Sequence, residues 1–251
     1  MTRRLLIRFD LMQPMLRAVL VDVGGTLWPD RLRGQPPDDR CLAQLARLLP
    51  GVEPAQTLAA LRAALREDDN GMVQNTHAVL RRALQRLGIA CGDADVIDIR
   101  RALCAPASPG VSLFPGAREF LEALRALDLR CVVLSNVQVR GAAEYWRDFA
   151  DLGVAHLIDS VVTSLDVGFR KPHPAMFEAA LTAIDCPAAA CAIVGDSEIK
   201  DIEPAIALGM RAIRVAIEEP PPPRSGAHAV VNNLAEARLI VAEWTAANAS
   251  A

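Results

Sequence analysis

Residues 17–27 read RAVLVDVGGTL, an unbroken apolar run that ends in Asp22 and is closed by the pair Gly24-Gly25. A run of this kind predicts a strand buried on both faces and followed by a tight loop. Working outward, similar short runs recur at 131–134, 157–163, 191–194, 212–217 and 229–231. Helical patterns separate them, near 117–127, 140–150, 174–184, 201–208 and 234–243. Strands alternating with helices in this way predict an α/β protein with a parallel sheet. The prolines at 220–223 are read as a stiff loop, because a strand and a helix still follow them.

The gap between the first two strands is far longer than one βα crossover requires. Its pattern is helical over 38–49, over 54–68 opened by Pro54, over 72–87 stopped by Gly88, and over 93–104. Four amphipathic helices of this length predict a small inserted bundle. The expected organisation is therefore a core of residues 15–30 and 108–251, with an inserted four-helix unit at 31–107. Residues 1–14 are read as a flexible N-terminal extension or an overextended start, and they carry no assigned function.

The 251 residues are 52% hydrophobic and 23% charged, a balance that excludes disorder over most of the length. Twenty-seven basic and 30 acidic side chains leave a formal charge of only -3, too little for broad attraction to nucleic acid or an anionic membrane. A small molecule is the expected partner, with no nucleic acid and no membrane; the oligomeric state is not legible. The six cysteines are scattered without a C-x-x-C pair, and no apolar window approaches a signal core or a membrane span. A reducing, cytoplasmic location is expected.

P-loop, G-x-G-x-x-G, G-x-S-x-G and H-E-x-x-H signatures are missing. What stands out instead is a set of polar residues at predicted strand ends, where open parallel sheets bind their ligands. They are Asp22, then Ser135 and Asn136, then Lys171 in the loop after the third strand, then Asp196 with Asp201. Each has a bland reading. Asp22 before two glycines can be a turn former, Ser135-Asn136 a strand-ending turn or cap, Gly195-Asp196-Ser197 a turn, and Asp201 a favourable charge at a helix start. Lys171 is more pointed, because the chain carries only two lysines, Lys171 and Lys200, against 25 arginines. Carboxylates converging on one point form a hard oxygen site suited to Mg²⁺, and a lysine with a hydroxyl nearby completes a phosphate cradle.

These residues fall in an order that resembles the haloacid dehalogenase-like hydrolase superfamily, from Leu16 to Ala246. The strand followed by D-x-D-G-T is similar to Asp22-Val23-Gly24-Gly25-Thr26; the second motif is Val133-Leu134-Ser135-Asn136. The third is Lys171-Pro172-His173-Pro174, and the fourth is Gly195-Asp196-Ser197 with Asp201. The resemblance implies a Rossmann-like core with a helical cap between the first two motifs. It further implies a Mg²⁺-dependent phosphatase of a small phosphorylated metabolite, with Asp22 as the nucleophile that takes up the phosphoryl group. Mg²⁺ would lie between Asp22, the main-chain carbonyl of Gly24 and Asp196. Ser135, Asn136 and Lys171 would hold phosphoryl oxygens, with Asp201 and Thr26 in support. The physical logic is that a carboxylate attacks a phosphate dianion only where cations offset the repulsion.

One position departs from the pattern: the second Asp of the first motif, the family's usual general acid and base, is Gly24. Proton transfer of that kind contributes ~10²- to 10⁴-fold in rate. Two other readings therefore stand beside the phosphatase, a phosphate-binding or regulatory module with little turnover and a 2-haloacid dehalogenase. Dehalogenases of this family also lack that Asp, but they need no metal. A phosphonate-cleaving relative would use a cap lysine, and residues 28–114 contain none.

In the inserted unit, His77 falls on the predicted face Val73, His77, Leu80, Leu84, Leu87. That face predicts a packed histidine or, alternatively, one that looks onto the site and replaces the missing acid. Arg62, Arg66, Arg81, Arg82 and Arg86 are read as a solvated helix face. Trp28 is read either as packing over a substrate or as a plug at the junction of the two units.

Overall fold

The computed structural model describes residues 14–29, 39–67, 71–104, 112–218, 220 and 224–247. Six strands, β1 (Ala18–Val21), β2 (Arg130–Ser135), β3 (Ser160–Thr163), β4 (Cys191–Gly195), β5 (Arg211–Val215) and β6 (Ala229–Val231), form one sheet. All pairs are parallel, and the spatial order is β3-β2-β1-β4-β5-β6. This is the Rossmann-like order, which reverses direction beside the first strand. The strand expected from residue 157 begins later, because Ala155–Leu157 is a 3₁₀ turn. Asp159 opens the ladder instead: its carboxylate accepts from the Cys131 N–H at 2.7 Å, and its own N–H donates to the Cys131 carbonyl at 2.8 Å.

Between β1 and β2 lie α1 (Asp39–Leu48), α2 (Pro54–Glu67), α3 (Thr76–Arg86) and α4 (Asp93–Leu103). Leu45, Leu58, Leu61, Leu65, Leu80, Leu84 and Ile99 close into a hydrophobic cluster separate from the sheet's own. Among the described residues the insertion thus has four helices, each near its expected place, with one correction. The third starts at Thr76 and not at residue 72, because the preceding stretch is drawn onto the core. Val73 forms an antiparallel bridge with Phe169, the Gln74 N–H donates to the Gly168 carbonyl at 2.9 Å, and the Arg170 N–H donates to Met72 at 2.7 Å. The predicted face through Val73, His77 and Leu87 does not exist: all three are exposed, and the buried face is Thr76, Val79, Leu80, Ala83 and Leu84. The expected boundaries at 30/31 and 107/108, and the extension up to residue 13, lie outside the described residues.

The sheet's pleat divides its side chains between two layers. Val19, Val21, Cys131, Val133, Ala192 and Val194 pack on α5 (Ala117–Ala126) and α6 (Ala142–Asp151), joined by the C-terminal helix of residues 234–247. Ala18, Leu20, Val132, Leu134, Cys191 and Ile193 face the other way. A short α7 (Ser164–Val167) leads to the helices on that side, α8 (Pro174–Ala183) and α9 (Glu203–Ala207), and α10 (Leu234–Ala247) ends the series. The central strands are apolar on both faces because helices cover both. Among the described residues, no helix is long and apolar enough to cross a membrane.

Candidate active site

Asp22 follows β1 directly, and its N–H still donates to the Val194 carbonyl at 2.9 Å, so β4 holds the backbone at the point where the sheet order reverses. Ser135 ends β2. Asp196 follows β4, and Asp201 lies on the π-helical turn Glu198–Ile202 that comes next. Glu198 anchors that turn by accepting from Arg214 at 3.1 Å, Ser225 Oγ at 2.7 Å and the Gly226 N–H at 2.7 Å. The helix expected to open at 201 is therefore this turn followed by α9.

Lys171 reaches into the centre with its Nζ donating to Asp22 Oδ1 at 2.6 Å, Asp201 Oδ1 at 2.7 Å and the Leu134 carbonyl at 2.8 Å. Its backbone is gripped by Asn136, whose Nδ2 donates to the Lys171 carbonyl at 2.9 Å and whose Oδ1 accepts from the Lys171 N–H at 2.7 Å. The Asn136 side chain thus acts on the lysine loop, a positioning contact that sequence reasoning did not anticipate. The next residue is joined through a cis Lys171-Pro172 peptide, and His173 caps α8, its Nδ1 accepting from the Ala175 N–H at 3.2 Å. Thr26 Oγ1 donates to Asp22 Oδ2 at 3.3 Å, so both oxygens of Asp22 have partners. Oδ2 of Asp201 accepts from the Ser197 N–H at 3.1 Å.

Oxygens of Asp22, Asp196 and Asp201 lie within 4.8 Å of one another. One ammonium faces three carboxylates. Burial, then the charges of Asp22 and Asp201, push the Asp196 carboxyl up to about 7. Burial also raises Asp201 to about 6 against the pull of Lys171. For Lys171 burial works against the charge, yet Asp201 and Asp22 outweigh it and hold the ammonium above its ordinary value. Three carboxylates thus crowd around one ammonium, like charges that raise the acids beyond what burial does, and hard oxygen donors gathered in this way fit a divalent cation such as Mg²⁺. Two glycines keep it compact. A Cβ on Gly25, at φ +76°, would lie 2.4 Å from Asp196 Oδ2, and one on Gly195 would lie 2.6 Å from the Asp201 carboxyl carbon.

Gly24 sits beside this cluster in an isolated bridge with Trp28. Trp28 is buried in the core, stacked on Tyr145 at 5.7 Å and packed on Phe149 at 5.4 Å, which favours the plug over an open platform for substrate. Tyr145 in turn places its hydroxyl 3.1 Å from Ser135 Oγ. Sequence reasoning missed Tyr145; the available signal was that the chain has a single tyrosine. His77 is not brought to the cluster by any contact seen here. It is exposed, and burial of part of its ring, with Arg100 and Arg81 nearby, lowers its pKa. Of the arginine face, Arg66, Arg82 and Arg86 are exposed, Arg62 and Arg81 half-buried, and Arg81 pairs with Asp93.

A family model for haloacid dehalogenase-like hydrolases matches residues 16–209. The glyceraldehyde 3-phosphate phosphatase of Methanothermobacter thermautotrophicus is 34% identical over 131 residues, covering 52% of this chain and 53% of that one. A phosphoserine phosphatase of Thermus thermophilus is 35% identical over 104 residues, covering 41% and 40%. The chain spans about half the length, or less, of these relatives. Among solved structures, a 2-haloacid dehalogenase from Pseudomonas syringae superposes with a TM-score of 0.62 at 25% identity, covering 92% of this chain and 100% of that one.

Proposed function

The chain belongs to the haloacid dehalogenase-like hydrolases, and on that footing we propose that it is a phosphatase of small phosphorylated metabolites, with Asp22 as its nucleophile. The observation that carries this reading is Asp196, which joins Asp22 and Asp201 in a cluster of three carboxylates whose oxygens lie within 4.8 Å of one another. Attack at carbon displaces a halide and has no phosphoryl charge to offset, so it gives no reason for such a cluster. The names of the two phosphatase relatives point the same way. Asp22, Asp196 and the main-chain carbonyl of Gly24 would hold Mg²⁺, which would supply charge neutralisation for the phosphoryl oxygens.

The four-helix insertion is read as a cap over this site. Within the site, Lys171 and Ser135 hold phosphoryl oxygens, and Asp201 and Asn136 keep Lys171 in place. A carboxylate oxygen of Asp22 attacks phosphorus; the Asp22–phosphorus bond forms as the ester oxygen leaves with its electron pair. Water then attacks the same phosphorus, and the Asp22 carboxylate is regenerated as phosphate is released. No side chain at position 24 protonates the leaving group, so the reaction favours leaving groups that carry negative charge well. Gly24 also supports a second reading, a phosphate-binding module with little turnover.

The test is phosphate release from an aryl phosphate with and without Mg²⁺, beside halide release from a 2-haloacid. Steady Mg²⁺-dependent phosphate release is expected. Binding of phosphate without release would favour the module, and metal-independent halide release would replace the phosphatase reading with the dehalogenase.

A further inference from the structure

Ser135 and Tyr145 are joined hydroxyl to hydroxyl at 3.1 Å, at the end of β2 and on α6. Both are buried. A phenylalanine at 145 would fill the same aromatic cluster without the cost of burying a hydroxyl, so the oxygen calls for an explanation beyond packing. The ring is fixed on several sides: Trp28 stacks at 5.7 Å and 11°, Phe149 lies at 5.9 Å, and the Arg140 guanidinium stands 5.9 Å from the ring centre. Arg140 is itself paired with the buried Asp148, and the Trp28 carbonyl accepts from the Gly25 N–H at 2.8 Å. The phenol oxygen consequently has one position, and Ser135 Oγ is within its reach there.

A serine hydroxyl has a single proton and two lone pairs. A phenol is the more acidic of the two groups and therefore the better donor. Resting on the phosphatase reading, we propose that Tyr145 is a positioning residue whose hydroxyl donates to Ser135 Oγ and thereby directs the Ser135 proton onto a phosphoryl oxygen. A phenol is protonated at neutral pH in any case, and burial pushes this one up to about 12 although the Ser135 hydrogen bond and the Arg140 charge pull it down. Donation to one lone pair also polarises the serine O–H, which strengthens the bond it makes to an anion. The chain Tyr145 to Ser135 to phosphate then supplies an oriented donor at the end of β2.

The experiment is a double-mutant cycle with Tyr145→Phe and Ser135→Ala, read by binding of inorganic phosphate in calorimetry and by KM and kcat on an aryl phosphate. Each variant loses one hydroxyl, and thermal midpoints set the folded fraction. Tyr145→Phe is expected to weaken phosphate and raise KM by about 3- to 10-fold, as for one hydrogen bond, with kcat changed less. In the Ser135→Ala background the same substitution should change phosphate binding by less than about twofold, because the hydroxyl it acts through is gone. Equal losses in both backgrounds, or an unchanged phosphate constant in Tyr145→Phe, would overturn the proposal. Phosphate neither bound nor released by the unaltered protein would instead overturn the phosphatase reading, and this proposal with it.

Discussion

The ammonium of Lys171 lies 2.6 Å from Oδ1 of Asp22, a residue 149 positions earlier in the chain. Strand order creates that meeting: β1 ends beside β2 and β4, and Asn136 at the end of β2 clamps the lysine's backbone. The same ammonium touches Asp201, so a single cation stabilises two buried acids. Coulomb attraction in so dry a setting is strong, but so is the penalty for leaving either acid unpaired.

Replacing Lys171 by Met should therefore damage both activity and stability. Phosphate release should fall by about 10²-fold or more, since a preorganised charge at the reacting centre is lost. Unfolding free energy should fall by roughly 3 kcal/mol in urea without divalent metal, the usual cost of stranding buried partners. Mg²⁺ should restore part of the stability and little of the turnover. Melts that superimpose on wild type would show that the buried carboxylates do not depend on the lysine.

Gly25→Ala should lose stability and metal affinity together. The residue has φ +76° and its new Cβ would meet Asp196 Oδ2 at 2.4 Å. Left-handed backbone alone costs a non-glycine residue about 1–2 kcal/mol. Gly209→Ala separates the two effects, because φ there is +82° but nothing lies within 4 Å of the added carbon. Both variants should melt earlier, and only Gly25→Ala should need more Mg²⁺ for half-maximal activity.

His77→Ala should leave turnover per folded molecule unchanged and shift stability by less than about 0.5 kcal/mol, as for an exposed side chain. The measurement is kcat beside a urea titration. A loss of turnover confined to alkyl phosphates would make His77 the missing acid after all.

That histidine also marks where sequence reading gave out. The strands were legible because Val19 and Val21 face one layer while Ala18 and Leu20 face the other, leaving an unbroken apolar run. The polar residues at their ends were legible because parallel strands place their C-terminal ends on one side of a sheet. Val73 was not, since periodicity describes a helix and carries nothing about a long-range bridge to Phe169. Gln74 was hidden for the same reason: its carboxamide accepts from Ser164 Oγ at 3.2 Å and Arg170 Nε at 2.5 Å, contacts 90 and 96 residues away. Asn136 was found but its grip on the Lys171 backbone was not, because a side chain's partner is set by the loop opposite it, beyond what local sequence encodes.

Gly24 makes the rate depend on the leaving group. Aryl and acyl phosphates should react far faster than alkyl phosphates, which need a proton as the bond breaks. In Gly24→Asp a carboxyl two residues beyond Asp22 should raise turnover selectively for alkyl esters. Equal wild-type rates on both classes, with bond cleavage rate-limiting, would place an acid elsewhere in the site.

The central claim is that the Asp22 carboxylate attacks phosphorus, and Asp22→Asn tests it most directly. An amide of nearly the same shape cannot form the acyl phosphate and is a poorer metal ligand. Mg²⁺-dependent phosphate release from an aryl phosphate, measured on variant whose thermal midpoint confirms folding, should fall by about 10³-fold or more. A folded variant that keeps more than about a tenth of wild-type turnover would contradict the account, since general electrostatic assistance by the remaining groups could then carry the reaction without a nucleophile at position 22.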